Sequence, residues 1–223
     1  DVPPGRAEEV AAAHGVQAGD AAACDMVVMA VKPQDLAGVL DDVVPRMRDG
    51  AVLASVAAGW PTDRLADAAP GHPVVRLMPN LAVAHGAGVL AMASRGLDGT
   101  GVGRVQGLLA PLGAVVVLDE ALFPVATAIG GSGPGFLAYI AAAMERAAVD
   151  EGMPPAAARA MVQGVLAGTA ALLAGGDDPA ELQARVTSPG GTPAAGVAAM
   201  DERAAADAIA AAVRAAAARA AEL

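Results

Sequence analysis

Short apolar runs recur along the first half of the chain. Residues 26–31 form a continuous apolar run, as expected for a strand buried on both faces of a sheet. The same pattern predicts four further strands, at residues 52–56, 74–78, 89–93 and 114–118. The segments between these runs have helical character, at residues 6–14, 33–47, 62–68 and 98–110. This alternation of strands and helices predicts a mainly parallel, doubly wound α/β domain.

After residue 118 the strands stop and the apolar positions follow a helical period. One apolar face begins at Phe136 and belongs to a helix that ends near Gly152, and a second covers residues 161–173. The change of pattern predicts two domains, an α/β domain over residues 1–120 and an all-helical domain over residues 121–223.

The start of a third helix is marked by its capping residues. Asp178, Pro179 and Glu181 have the residue types of the N-cap, N1 and N3 positions. A last helix is predicted over residues 204–223, and its apolar face is mostly alanine. Because this half has so few large side chains, we expect it to complete its core against a second copy of the chain, as a homodimer.

The composition excludes nucleic-acid binding. The 223 residues carry a net charge of −10 and an isoelectric point of about 4.6, whereas nucleic-acid ligands require a basic face. Hydrophobic residues make up 55% of the chain, but the excess is mostly alanine. We find no stretch of the ~18 or more uncharged apolar residues that a spanning helix needs, so we expect a cytoplasmic protein without membrane contact.

Cysteine and histidine give no indication of a metal site. Cys24 is the only cysteine, so an internal disulfide and a cysteine-rich metal site are both excluded. His14, His72 and His85 are isolated from one another and from carboxylate clusters. We therefore expect no bound metal.

Candidate ligand-binding residues follow the first three predicted strands, because ligands of doubly wound sheets lie at the carboxyl ends of the strands. Lys32 either is a solvated loop lysine or lies beside a nucleotide. The small residues at 57–59 either form a tight turn or allow the close approach of a flat ring. Asn80 is expected to hydrogen-bond its own loop.

The stretch "VTSPGGTPAAG" (186–196) interrupts two alanine-rich helical segments. One interpretation is a simple connection, since proline and paired glycines break helices. The other is an anion cradle, in which glycine N–H groups and the start of the next helix converge on a carboxylate or phosphate.

Five stretches together resemble the pyrroline-5-carboxylate reductase family. They are "AVKPQDL" (30–36), "SVAAG" (55–59), "VVRLMPN" (74–80), "ATAIGGSGPGF" (126–136) and "VTSPGGTPAAGVAAMD" (186–201). The resemblance runs through essentially the whole chain. The "GSGP" that opens a helix and the "VTSPGGT" about fifty positions later are its specific elements.

The resemblance implies reduction of the cyclic imine 1-pyrroline-5-carboxylate to L-proline with NADPH or NADH. It also implies a Rossmann-type cofactor domain and a dimer formed by the C-terminal helices, which in the family often assembles into a ring of dimers. By position, the substrate contacts fall at Ser188, Gly190, Gly191, Thr192 and Pro193. The cofactor contacts fall at Ala30, Val31, Lys32, Pro33, Val56, Ala57 and Ala58.

The sequence departs from the family pattern in several places. The chain begins without methionine, and the first strand, its G-x-G-x-x-G turn and its helix are absent from the 223 residues, so we expect a truncated start and weak dinucleotide binding. The family's cofactor-contacting Asn cannot be placed between residues 16 and 25. Pro124, Gly130 and Gly135 stand where the family usually has Asp, Ser and Ala. Pro193 replaces a threonine that donates both its hydroxyl and its N–H to the substrate region, and proline donates neither.

Two alternatives to this function stay open at this stage. Pro193 alters the carboxylate end of the pocket, which allows a related imine reductase with a different substrate. A non-catalytic paralogue or fragment that acts as a dimeric interaction module is the other. No catalytic residue is identified, and the choice between NADPH and NADH is undetermined.

Overall fold

The computed structural model describes residues 5–222, which form two compact units. The first extends to Ala126 and the second comprises Thr127–Glu222. The helices and strands of the first unit are α1 (Arg6–His14), β1 (Met26–Met29), α2 (Leu36–Val43), β2 (Val52–Ser55), α3 (Thr62–Ala68), β3 (Val74–Met78), β4 (Gly88–Arg95), α4 (Gly99–Leu109), β5 (Gly113–Val117) and α5 (Phe123–Ala126).

The five strands form one sheet in the order β1-β2-β3-β4-β5. Three of the neighbouring pairs are parallel, and β3 pairs with β4 in the antiparallel sense. The prediction of a mainly parallel sheet is therefore confirmed. Strands β1, β2 and β3 run in the same direction, so their carboxyl ends lie along one edge of the sheet.

Both faces of the sheet are covered by helices, as a doubly wound fold requires. On one face, Leu53 belongs to a buried cluster with Leu40 of α2 and Leu65 of α3. On the other, Leu77 belongs to a cluster with Leu109 of α4. Alternate residues of a strand point to opposite faces, and the central strands β2 and β3 contribute residues to both clusters.

The predicted helix over residues 33–47 is too long at both ends. In the structure α2 begins at Leu36, after a turn in which the Asp35 N–H donates to the Lys32 carbonyl at 3.0 Å. It gives way after Val43 to a 3₁₀ turn that contains Pro45. Proline lacks an N–H and clashes with the preceding helical turn, which explains the early end.

The second unit consists of helices only. A π-helical turn over Thr127–Gly131 leads into it, and the helices that follow are α6 (Gly133–Asp150), α7 (Pro155–Ala174), α8 (Pro179–Val186), α9 (Thr192–Glu202) and α10 (Ala205–Ala221). The predicted cap of α8 is confirmed, since the Asp178 carboxylate accepts the N–H groups of Ala180 at 2.8 Å and Glu181 at 3.2 Å. The last residue of the predicted helix 204–223 lies outside the described residues.

The start of the helical unit lies further along the chain than residue 120. Phe123 is 1% exposed and belongs to a buried cluster with Ala91 and Ala93 of β4. Glu120 pairs with Arg76 of β3 and accepts the backbone N–H of Thr62 at 3.2 Å. These contacts attach the segment before Thr127 to the α/β unit.

The helices of the second unit leave much apolar surface exposed. Among the described residues of this unit, the buried apolar side chains are only Ala128, Ala158, Val162 and Leu182. An apolar groove of about 430 Å³ lies along α6 and α10, with Phe136, Tyr139, Ile140, Met200 and Ile209 among its lining residues.

The expectation that no stretch is long and apolar enough to span a membrane is wrong. Two helical segments meet that length and composition, Glu120–Asp150 and Pro155–Ala174. Only 11% of the apolar window of each is buried within the single chain. A search for an uncharged apolar run misses them, because Pro155–Ala174 contains Arg159 and Glu120–Asp150 contains Thr127, Ser132 and several glycines.

Candidate cofactor and substrate sites

The parallel pairing of β1 and β2 places their carboxyl ends side by side. Met29 is in register with Ser55, and the Val56 N–H donates to the Met29 carbonyl at 3.1 Å. The next residues of each strand, Ala30 and Val56, therefore leave the sheet as neighbours. This brings together the two segments that the sequence assigns to the cofactor, residues 30–33 and 56–58.

The segment after β2 is shaped by a buried serine. Ser55 is fully buried, and its Oγ accepts the Ala57 N–H at 3.2 Å. Ala57 and Ala58 add only methyl groups, and Gly59 has a φ of +72°, a conformation that glycine adopts without strain. The side chains of this segment are small, and Ala57 itself is only 5% exposed.

The segment after β1 is more exposed and carries a positive charge. Ala30, Lys32 and Pro33 are exposed and Val31 is half-buried. Lys32 makes no ion pair with any residue in the described range 5–222. Neighbouring strand ends with small side chains and an unpaired lysine fit an anionic dinucleotide.

Asn80, after β3, orders its own loop as predicted. Its Oδ1 accepts the N–H of Ala82 at 3.1 Å and that of Val89 at 3.4 Å. These bonds close the 3₁₀ turn of residues 81–85 against the start of β4. The carbonyl oxygen of this side chain is thus engaged within the loop.

Trp60, which the sequence analysis did not identify, contacts the segment that follows β1. Its indole N–H donates to the carbonyl of Pro33 at 3.2 Å, and the guanidinium of Arg64 lies 3.8 Å from the ring centroid. The available signal was the position of the only tryptophan, directly after "SVAAG". Arg76 was likewise given no role, although it pairs with Glu120 and lies over the Phe123 ring at 4.4 Å.

The candidate substrate residues lie together in a tight turn before α9. The Gly191 N–H donates to the Ser188 carbonyl at 3.0 Å, and Gly190 has a φ of +70°. Proline at the second position and a left-handed glycine at the third are the signature of a type II turn. The geometry therefore explains why Pro189 and Gly190 occur in this order.

Gly191 has little room for a side chain. A Cβ atom at this position would lie 2.5 Å from the Oγ of Ser188 and 3.1 Å from its carbonyl oxygen. The conformation of Gly191 (φ −78°) is open to any residue, so the restriction at this position is steric.

Backbone donors are available at this turn. Among the hydrogen bonds of residues 5–222, none is donated by the N–H of Gly190 or of Thr192. The N–H of Gly191, in contrast, is used within the turn. Pro193 is the second residue of α9, where its missing N–H and fixed φ are tolerated. The exposed turn can therefore present unpaired N–H groups and a helix N-terminus to an anion.

An ion pair lies at the base of the helix that leads to the turn. Arg185 donates to Asp177 with both terminal nitrogens, one of them at 3.1 Å. Hydrogen bonding from Arg185 lowers the pKa of the Asp177 carboxyl below its ordinary value, and Asp177 raises the pKa of Arg185. The pair joins the end of α8 to the loop before it.

No group of three or more metal-ligating side chains is found in the described part of the chain.

A covered α/β sheet with open strand ends, followed by helices with exposed apolar faces, is the architecture of a two-domain protein of the dinucleotide-binding class. Residues 120–223 match the family model for the pyrroline-5-carboxylate reductase dimerisation domain.

Individual relatives extend the match to the α/β unit. The pyrroline-5-carboxylate reductase of Synechocystis sp. is 34% identical over 204 residues, which cover 89% of this chain and 75% of the relative. That of Thermus thermophilus is 35% identical over 225 residues, which cover 99% of this chain and 85% of the relative. The chain belongs to the pyrroline-5-carboxylate reductase family.

Solved structures of similar proteins share the fold. A Plasmodium falciparum pyrroline carboxylate reductase with NADP bound has a TM-score of 0.78 and 25% identity, covering 90% of this chain and 77% of that one. A Coxiella burnetii pyrroline-5-carboxylate reductase has a TM-score of 0.90 at 24% identity, covering 96% and 83%. The second likeness supports the fold alone.

Proposed function

We propose that this protein catalyses the NAD(P)H-dependent reduction of 1-pyrroline-5-carboxylate to L-proline, a step of proline biosynthesis. The observation that carries the proposal is the 35% identity to a pyrroline-5-carboxylate reductase over 99% of this chain and 85% of that relative. A match of this extent includes both the strand-end segments and the Ser-Pro-Gly-Gly turn.

The turn of residues 188–191 holds the carboxylate of the imine. The N–H groups of Gly190 and Thr192 are unpaired within the described residues, and the N-terminus of α9 adds the positive end of its dipole. A carboxylate fixed in this way also fixes the ring to which it is attached. Since a protonated imine is already electrophilic, alignment supplies much of the rate and no strong acid is required.

The segments 30–33 and 56–58 hold the cofactor. A reduced nicotinamide dinucleotide supplies the hydride when it is bound. Ala57 and Ala58 add only methyl groups after β2, and the exposed Lys32 offers a positive charge to an anionic ligand. Both NADPH and NADH are compatible with these residues.

The helical unit forms the dimer. Residues 120–223 match a dimerisation domain, which supports a homodimer, and the exposed apolar groove along α6 and α10 supplies surface for it. We assign the α/β unit to cofactor binding and the helical unit to substrate binding and dimerisation. Assembly of dimers into a ring and a cytoplasmic location complete the proposal, in which the apolar helices face a partner subunit and not a membrane.

The test is an assay of the full-length protein with 1-pyrroline-5-carboxylate. Oxidation of NADPH and of NADH is monitored in parallel reactions, and the proline formed is measured in each. Proline formation equal to the cofactor oxidised is the expected result. Binding of either cofactor without turnover of this imine would remove the substrate assignment. Absence of both binding and turnover would favour a non-catalytic dimeric protein.

A related imine reductase with a different substrate is the second candidate, and Pro193 is the observation that favours it. Proline at this position of α9 removes the hydroxyl and the N–H that the family threonine donates. Faster turnover of cyclic imines that lack the carboxylate than of 1-pyrroline-5-carboxylate would establish this alternative.

A further inference from the structure

Trp60 connects the two segments that follow β1 and β2. Its indole N–H donates to the Pro33 carbonyl at 3.2 Å, across 27 positions of sequence. The side chain is only 4% exposed and belongs to the same buried cluster as Leu36 of α2 and Leu65 of α3. One rigid side chain therefore links the segment 30–33 to the chain that leaves β2.

The indole is itself fixed from a second direction. The Arg64 guanidinium lies 3.8 Å from the ring centroid, within the range of a cation–π interaction, and its NH1 donates to the Gly59 carbonyl at 3.4 Å. A ring held by core packing and by Arg64 gives the N–H a fixed direction. The Pro33 carbonyl, and the exposed backbone around it, is then held in one position.

We propose that Trp60 is a positioning residue for dinucleotide binding, which fixes the segments 30–33 and 56–58 relative to each other. The inference rests on the proposed function, because that function assigns the two segments to the cofactor. Segments that are ordered in advance lose less conformational entropy when a ligand binds. Loss of the hydrogen bond to the Pro33 carbonyl should therefore weaken cofactor affinity, although the indole makes no contact with the cofactor in this proposal.

The variant Trp60→Phe separates this role from core packing. Phenylalanine keeps an aromatic ring in the buried cluster and beneath Arg64, but it has no N–H to donate. Calorimetric titration of the full-length protein should show the Kd for NADPH raised about three- to tenfold, the equivalent of one ordinary hydrogen bond. In the free protein, hydrogen exchange of the amides in segments 30–33 and 56–58 should accelerate.

Leu109→Ala is the matched control. Leu109 is 8% exposed and lies on the other face of the sheet, in the cluster that contains Val105. Because Val56 packs against the same cluster, the control is read at segment 30–33, where hydrogen exchange should stay unchanged while the melting temperature falls.

The outcomes separate the positioning role from the proposed function. If Trp60→Phe lowers the melting temperature but leaves the Kd and the segment exchange as they were, Trp60 is a core residue only and the inference is overturned. If the unsubstituted protein binds neither NADPH nor NADH, the cofactor assignment itself fails, and the positioning role fails with it.

Discussion

The two units of the chain differ in how far they bury their large apolar side chains. In the α/β unit, Leu36, Leu53 and Leu65 are completely buried. In the helical unit, Tyr139 is 75% exposed and Met161 is 59% exposed. The first unit is built around a core of its own, whereas the second buries few of its apolar side chains within one chain.

This difference shows why hydropathy alone misjudges such a chain. Two helical segments have the length and composition of membrane spans, yet they lie in the region that matches a dimerisation domain. An interface that stays covered resembles a protein core divided in half, so its composition overlaps with that of a spanning helix. The location of the exposed apolar surface is more informative than its amount.

The largest expected effect is on the core of the α/β unit. Leu65→Ala removes a fully buried side chain and should lower the free energy of unfolding by about 2–5 kcal/mol. Urea unfolding at several protein concentrations measures the change, and the loss in this unit should not depend on concentration. A loss below about 1 kcal/mol would show that this core is loosely packed.

The second prediction concerns the apolar surface of the helical unit. Ile209 is 48% exposed and lines the groove along α6 and α10, so Ile209→Asp would bury an unpaired carboxylate in a dimer. The dimer dissociation constant should rise at least about a hundredfold, as measured by sedimentation velocity.

Leu108→Asp is the control for Ile209→Asp. Leu108 is 61% exposed on α4 of the α/β unit. Its replacement by aspartate should leave the dimer dissociation constant unchanged. If both variants raised the dimer dissociation constant equally, the dimer interface could not be assigned to the helical unit.

The third prediction tests the donors that Pro193 removes. If the substrate carboxylate is held at this turn, Pro193→Thr should restore a charge-assisted hydrogen bond worth about 1.5–3 kcal/mol, a roughly ten- to hundredfold gain in kcat/KM for 1-pyrroline-5-carboxylate. The melting temperature should change little, because the position lies in the first turn of α9. Flat or reduced activity would favour a different substrate.

The fourth prediction concerns Gly191. A valine Cβ would collide with the Ser188 Oγ, so Gly191→Val should raise the KM for the imine about tenfold by disturbing the turn. Gly196→Ala, in the middle of α9 where nothing lies within 4 Å of an added Cβ, is the control and should leave the KM unchanged. Unchanged kinetics for Gly191→Val would reduce the turn to a connection.

The smallest expected effect is a gain in stability between α9 and α10. Ala204 has a φ of +51°, in the left-handed region that favours glycine. Ala204→Gly should stabilise the helical unit by about 0.5–1 kcal/mol, measured by thermal unfolding, because relief of strain exceeds the added flexibility of the unfolded chain. A lower melting temperature would mean that the junction is not strained.

Much of the α/β unit could be predicted from the sequence because each strand coincides with a local run of apolar residues. The apolar run at residues 74–78 and the helix at residues 62–68 match β3 and α3 residue for residue. The antiparallel placement of β4 was not predicted, since the direction of a strand depends on long-range pairing and leaves no mark in its apolar pattern.

The candidate sites could be predicted only in part. The glycines and prolines of residues 188–191 reveal a turn because they are required by its backbone angles. The bond from Trp60 to Pro33 spans two loops, and nothing in the residue spacing indicates it. Likewise, the engagement of the Gly191 N–H within the turn depends on the turn type and appears only in three dimensions.

The helical unit is expected to complete its fold against a second copy of the chain, because few of its apolar side chains are buried within one chain. Light scattering of the 21.6 kDa chain at micromolar concentration, coupled to size-exclusion chromatography, tests this most directly. The expected mass is twice that value or an even multiple of it, retained on dilution. A monodisperse species with the mass of one chain would contradict it.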